Sequence, residues 1–235
     1  MFIRNKKKTN VYMLEFRNTK VYDLKESVIA CRNAMRLEPV EYTDEEFEKS
    51  LDRAKKLVEA SNNSKNVKCH DNYLTGIRVS VDMKYSQYIT KQMQRYHWFD
   101  YVSSSSMMHR ITKMDFSKCC NKYVLNSNIQ TMQTLVNQYN HIVEFRPSSW
   151  EFKNGENSIK TIGYEDTVYT AFMLIISNCP MGAELFVRVS TNYKQLQTMY
   201  HQRKHHKLKE DWGEFCKWVE SLPYAKELII GENDA

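Results

Sequence analysis

Ile77-Arg78-Val79-Ser80-Val81-Asp82-Met83-Lys84 alternates apolar and polar residues without a break. Period two over eight residues is the signature of a half-buried β-strand. After it a helix is expected from Ser86 to about Trp98. The stretch Asp100 to Arg110 then carries four consecutive serines, Ser103 to Ser106, with no helical period, and reads as loop. Upstream, Thr43-Asp44-Glu45-Glu46 is a capping box that opens a helix to about Ser61, with Phe47, Leu51, Ala54 and Leu57 on one face. Leu24 to Arg36 also reads as helix, Val11 to Phe16 as a short first strand and Asn62 to Asn66 as a loop. Downstream, helices are expected over Asn126 to Ile142, Asp166 to Ser177, Asn192 to His205 and Asp211 to Leu222, the last stopped by Pro223. Gly182 to Ser190 alternates Leu185, Val187 and Val189 as a second strand. Strands and helices do not alternate regularly, which argues for α+β with a small, largely antiparallel sheet over a doubly wound parallel one.

The composition agrees with one folded domain over residues 1–235. Of the 235 residues 42% are hydrophobic and 12% aromatic, and only 6 Gly and 4 Pro are present, so a full core is available and long flexible linkers are not expected. The net charge of +6 gathers at Lys6-Lys7-Lys8 and at Arg203-Lys204-His205-His206-Lys207. That excess suits a small anionic ligand as well as a polymer. The six cysteines (Cys31, Cys69, Cys119, Cys120, Cys179, Cys216) contain no CxxC pair, so they read as reduced thiols of a cytoplasmic protein. No run of 18 apolar residues suggests a membrane span.

Gly-rich phosphate loops, a GxSxG elbow and HExxH are all absent. His201 and His205 have zinc-compatible i,i+4 spacing, but without a third ligand no metal is expected. Two segments remain. Arg95-Tyr96-His97 closes the helix after the clean strand and leads into the serines, offering charge and many donors. Asn192-Tyr193-Lys194-Gln195-Leu196 opens the late helix, with Asn192 at the N-cap, and is followed by Arg203. Taken alone, each segment reads first as a solvated basic helix face.

Together they resemble the flavin-dependent thymidylate synthases, the ThyX family. The family signature is Arg-His-Arg, seven residues, then Ser, at the end of a helix that follows a strand. Here the corresponding residues are Arg95-Tyr96-His97 and Ser105. The family's late helix begins Asn-x-Arg-x-Leu with a further Arg, matched by Asn192, Lys194, Leu196 and Arg203. The likeness extends thinly over residues 22–225. Met107-Met108-His109-Arg110 and Arg203 to Leu208 are worded more like a divergent bacteriophage branch, which would place the protein in a bacterial host cytoplasm.

The resemblance implies a flavin-dependent methyl or hydroxymethyl transfer to carbon 5 of a deoxyuridine nucleotide. It implies FAD as cofactor, NADPH and a methylene-folate as further reactants, and a homotetramer. It implies flavin contacts from Arg95, Tyr96, His97, Asn192 and Lys194. Nucleotide contacts are implied for Arg95, Ser103, Ser105, Ser106, Arg110 and Arg203, with Arg203 and Ser105 closest to the chemistry. The chain departs from the family at Tyr96, His97 and Lys194. It also has Ser103 for a Glu and Met107 for an Arg, and lacks a phosphate-binding Arg near Ile176. The alternatives are a non-catalytic nucleotide binder on the same scaffold and a nucleic-acid-binding protein.

Overall fold

The computed structural model describes residues 14–63, 70–154 and 157–231. Lys6 to Lys8, Val11 to Met13, Ser64 to Asn66 and Cys69 lie outside the described residues. In chain order the elements begin β1 (Leu14–Tyr22), α1 (Leu24–Ala30), α2 (Asp44–Asn63), β2 (Arg78–Ser86), α3 (Gln87–Met93), β3 (Asp100–Ser104) and α4 (Met107–Arg110). They continue with α5 (Asn126–Phe145), β4 (Ser149–Asn154), β5 (Asn157–Ile162), α6 (Tyr164–Asn178), β6 (Glu184–Asn192), α7 (Tyr193–Arg203) and α8 (Lys209–Glu220). No helix among the described residues is long and apolar enough to cross a membrane. The described chain divides into two compact units: residues 14–63, 70–85, 89–104 and 186–231 form the larger, and residues 86–88, 105–154 and 157–185 the smaller.

The larger unit holds a four-stranded sheet in the order β1-β2-β6-β3. β1 pairs antiparallel with β2, and β3 antiparallel with β6. The alternation that marks β2 becomes burial: Val79, Val81, Met83 and Tyr85 are inside. Leu196 and Met199 of α7 and Trp212, Phe215 and Val219 of α8 are buried in the same unit. Thr43 caps α2 as expected, its Oγ1 accepting the Glu46 amide at 3.2 Å. The Glu46 carboxylate does not turn back to the cap. It binds Arg32 at 2.9 Å and also Arg36, tying α2 to the segment after α1. α1 stops at Ala30, short of the expected Arg36, and the Arg36 guanidinium donates to the Ile29 carbonyl at 2.9 Å.

Asp100 to Ser104 is a strand where loop was expected. Its partners lie in β6, with Asp100 opposite Ser190 and Ser104 opposite Val187, so remote pairing overrides a weak local pattern. A register shift between Tyr101 and Ser103 breaks the period that would have betrayed it. α3 correspondingly ends at Met93 instead of near Trp98.

In the smaller unit α5 and α6 pack around Ile111, Met114, Phe116, Met132, Val136 and Ile175. The unforeseen hairpin β4–β5 adds Phe152 to a second cluster with Ile142 and Ala171. Gly182 is required where it stands. A Cβ there would lie 2.4 Å from Val124 Cγ2 and 2.9 Å from Asn121 Nδ2.

Candidate functional site

Four candidate residues of the larger unit, Asn192, Lys194, Tyr96 and Arg203, collect at the two ends of α7. At its start Asn192 adopts extended backbone, and its side chain accepts the Gln195 amide at 2.8 Å, the N-cap role its identity suggests. Around it opens a cleft of about 510 Å³, within the roughly 300–1,000 Å³ range of small-ligand sites. Asn72, Thr75, Ser190 and Thr191 line it with polar groups, Arg78 and Asp100 with opposite charges, and Trp98 with an aromatic face. Trp98 has a fixed backbone: its carbonyl accepts from Thr191 Oγ1 at 2.7 Å, and its N–H donates to Gln195 Oε1 at 3.4 Å. Its ring is nevertheless 57% exposed, beside the edge-on imidazole of His97. A pinned backbone carrying an exposed indole is a ready stacking platform.

Lys194 sits in the first turn of α7 but is committed elsewhere. Its ammonium donates to both carboxylate oxygens of Asp71 at 2.6 Å and to Gln197 Oε1 at 2.9 Å. The Asp71 side chain is completely buried, so Lys194 is its counter-ion.

Arg203 closes α7. Eleven residues of helix at 1.5 Å each put it about 16 Å from Asn192. Its guanidinium lies over the Trp212 ring, 4.3 Å from the centroid, and 5.3 Å from that of Tyr96. Nε donates to Tyr96 Oη at 2.6 Å and Nη1 to Gln92 Oε1 at 3.3 Å. All of these partners are neutral, so a half-buried cation stands without a carboxylate among the described residues. Nearby His206 is held below the usual imidazole range, first by burial and then by the positive charges of Arg203 and Lys207.

Arg95 and His97 are exposed, and Ser103 is exposed on β3. Ser105, Ser106 and Arg110 belong to the smaller unit, where Ser106 precedes α4 and Arg110 ends it. Arg78, Asp71, Gln92 and Trp212 escaped the sequence reading as site residues. Arg78 had a visible signal, an outward position on the alternating strand, and Gln92 stands four residues before Tyr96. The others had none.

No protein-family model matches the sequence, and no curated protein does. Solved structures do match. Thymidylate synthase X (ThyX) from Helicobacter pylori, with FAD and dUMP, is 14% identical with a TM-score of 0.55, over 92% of this chain and 96% of that one. The UMP/dUMP methylase PolB from Streptomyces cacaoi, bound with 5-Br dUMP, is 12% identical with a TM-score of 0.53, over 90% and 91%. The fold is ThyX-like. This likeness spans nearly the whole chain, and the mixed helical and antiparallel architecture is the one the resemblance implied.

Proposed function

We propose that this ThyX-like chain binds a deoxyuridine nucleotide and FAD and transfers a one-carbon unit, methyl or hydroxymethyl, to carbon 5 of the pyrimidine. The observation that carries the reading is Arg203: a half-buried guanidinium held by Tyr96, Gln92 and Trp212 with no counter-ion among the described residues. Such a cation is built for an electron-rich planar acceptor. Beside the pyrimidine it stabilises the negative charge that develops as carbon 5 becomes nucleophilic, so no covalent enzyme nucleophile is needed.

The cleft at Asn192 fits part of a flavin. Trp98 offers a face for a planar ring, and Arg78 a guanidinium for a phosphate or ring carbonyl. Arg95 and His97 are exposed and add polar contacts. FAD bound there supplies the redox chemistry of the transfer, with NADPH as reductant and a methylene-folate as carbon donor. Lys194, committed to Asp71, holds the start of α7 in place. Ser103 is proposed as a nucleotide contact; Ser105, Ser106 and Arg110 belong to the smaller unit and keep only the nucleotide role that the resemblance implies.

A homotetramer completes the proposal. In the smaller unit Tyr169 and Met173 stand one turn apart on α6 and are exposed, as is Ile162 before it, which supports packing against another copy. Light scattering that gives a monomer at micromolar concentration would count against this. A second reading, nucleotide binding without catalysis, is favoured by Lys194, whose donors are taken up by Asp71 and Gln197.

Calorimetry with dUMP tests the main reading. Arg203→Ala is expected to weaken binding by about 1.5–3 kcal/mol, roughly ten- to a hundredfold. Equal affinity in both proteins removes Arg203 from the nucleotide site. Titration of FAD followed by its fluorescence separates the two readings, because only the flavoenzyme responds.

A further inference from the structure

We infer that Tyr96, Gln92 and Trp212 are positioning residues that lock Arg203 with one edge presented to the nucleotide. Tyr96 then serves the nucleotide side of the site, although it stands at a flavin position of the family signature. The inference rests on the nucleotide reading above.

The hydrogen bonds have a single consistent direction. Tyr96 Oη donates its one proton to Gln202 Oε1 at 3.0 Å, which leaves lone pairs to accept from Arg203 Nε at 2.6 Å. Two N–H donors, Arg203 Nη1 and Trp212 Nε1, converge on one atom of Gln92, each at 3.3 Å. That atom must therefore be the amide oxygen. Gln92 thus ties the guanidinium to the indole on which it stacks. Trp212 is fully buried, so the platform is fixed by the core.

A guanidinium has five N–H groups. Tyr96 takes the one on Nε and Gln92 takes one on Nη1. Three remain, one on Nη1 and two on Nη2, so donors are left on the edge that these nitrogens form. That edge matches a planar pair of acceptors, as on a carboxylate, a phosphate or the carbonyl edge of a pyrimidine. With the indole on one face and Tyr96 holding Nε, rotation about the side chain is suppressed before any ligand arrives, which lowers the entropy lost on binding. A histidine or an arginine in place of Tyr96 would lack this combination of ring face and neutral hydroxyl acceptor beside a cation.

Tyr96→Phe tests the assignment, since it keeps the ring and deletes only the acceptor. Three quantities are read on the full-length protein: hydrogen exchange of the Arg203 Nε–H in arginine-¹⁵N-labelled chain, the Kd for dUMP and the Kd for FAD. The variant is expected to exchange about tenfold faster at Nε, and to bind dUMP roughly five- to twentyfold more weakly. FAD affinity should stay within about twofold, and the same substitution in an Arg203→Ala background should add nothing to the loss of dUMP binding. Unchanged Nε–H exchange, or a loss confined to FAD, overturns the inference. A slow Nε–H in wild type that Tyr96→Phe releases, with no dUMP binding by either protein, would leave the clamp standing and fell the nucleotide reading.

Discussion

Lys194→Met leaves the apolar stem of the side chain and removes its charge. Asp71, whose side chain is fully buried, then loses the donor that reaches both of its oxygens at 2.6 Å. Stranding a buried carboxylate in this way costs about 3–5 kcal/mol, far more than the 0–1 kcal/mol of an exposed pair. For a chain of this size that corresponds to roughly 6–20 °C in Tm. Asp71→Asn in the same background removes the stranded charge, so the double variant is expected to recover most of the deficit. Urea denaturation of wild type, both single variants and the double variant gives the cycle. A single variant within about 1 kcal/mol of wild type, or a double variant no more stable than Lys194→Met, refutes the pairing argument. FAD titration of the double variant adds a second decision. Retained affinity confines Lys194 to its structural role, whereas lost affinity in a stable protein restores it as a flavin contact.

Trp98→Ala should weaken FAD binding by about 1–3 kcal/mol, the usual worth of an aromatic platform under a base, without lowering Tm, because the ring is mostly exposed; unchanged affinity in a fluorescence titration places the flavin elsewhere. Gly182→Ala should destabilise by about 1–3 kcal/mol, since Val124 and the Asn121 amide must both shift, and a denaturant midpoint equal to wild type would contradict that crowding. His206 should titrate below the usual 6.5 when its imidazole is followed by NMR. Folding lowers its pKa, so protonation favours the unfolded chain. Its contribution to stability is complete above 6.5 and is lost as pH falls through the folded value. A midpoint at or above 6.5 would mean that neither its burial nor the positive charges of Arg203 and Lys207 act on it as the structure implies.

The elements that were legible in the sequence are those whose own period or cap defines them. β2 alternates because one face is buried, α5 repeats its apolar residues at helical spacing, and Asn192 carries its capping group with it. β3 was illegible because its serines are exposed and its order comes from β6, about ninety residues away. The same division runs through the site. Arg203 was marked by the resemblance, but the pairing of Tyr96 with Arg203 spans 107 residues and that of Asp71 with Lys194 spans 123. Contacts between such distant positions leave no periodic trace. Trp212 shows the limit most clearly. Its place on the inward face of α8 was readable, yet a buried indole also presents a face to whatever cation the fold brings over it.

The length of α7 constrains the chemistry further. Its two ends carry different equipment, a polar cleft with an exposed indole at one and, about 16 Å along the helix backbone, a guanidinium without a carboxylate partner among the described residues. A cleft of about 510 Å³ is roughly 8 Å across if compact, shorter than the length of helix between Asn192 and Arg203. Either an extended ligand runs along the helix or two ligands bind. A reaction that brings a flavin and a nucleotide together needs two recognition elements, and their separation within one chain is what a site shared between copies would require. A variant that damages only one end should therefore lose one ligand and keep the other: Trp98→Ala should spare dUMP, and Arg203→Ala should spare FAD. Loss of both ligands from either substitution would mean that the two ends serve a single pocket, and the two-ligand argument would fall.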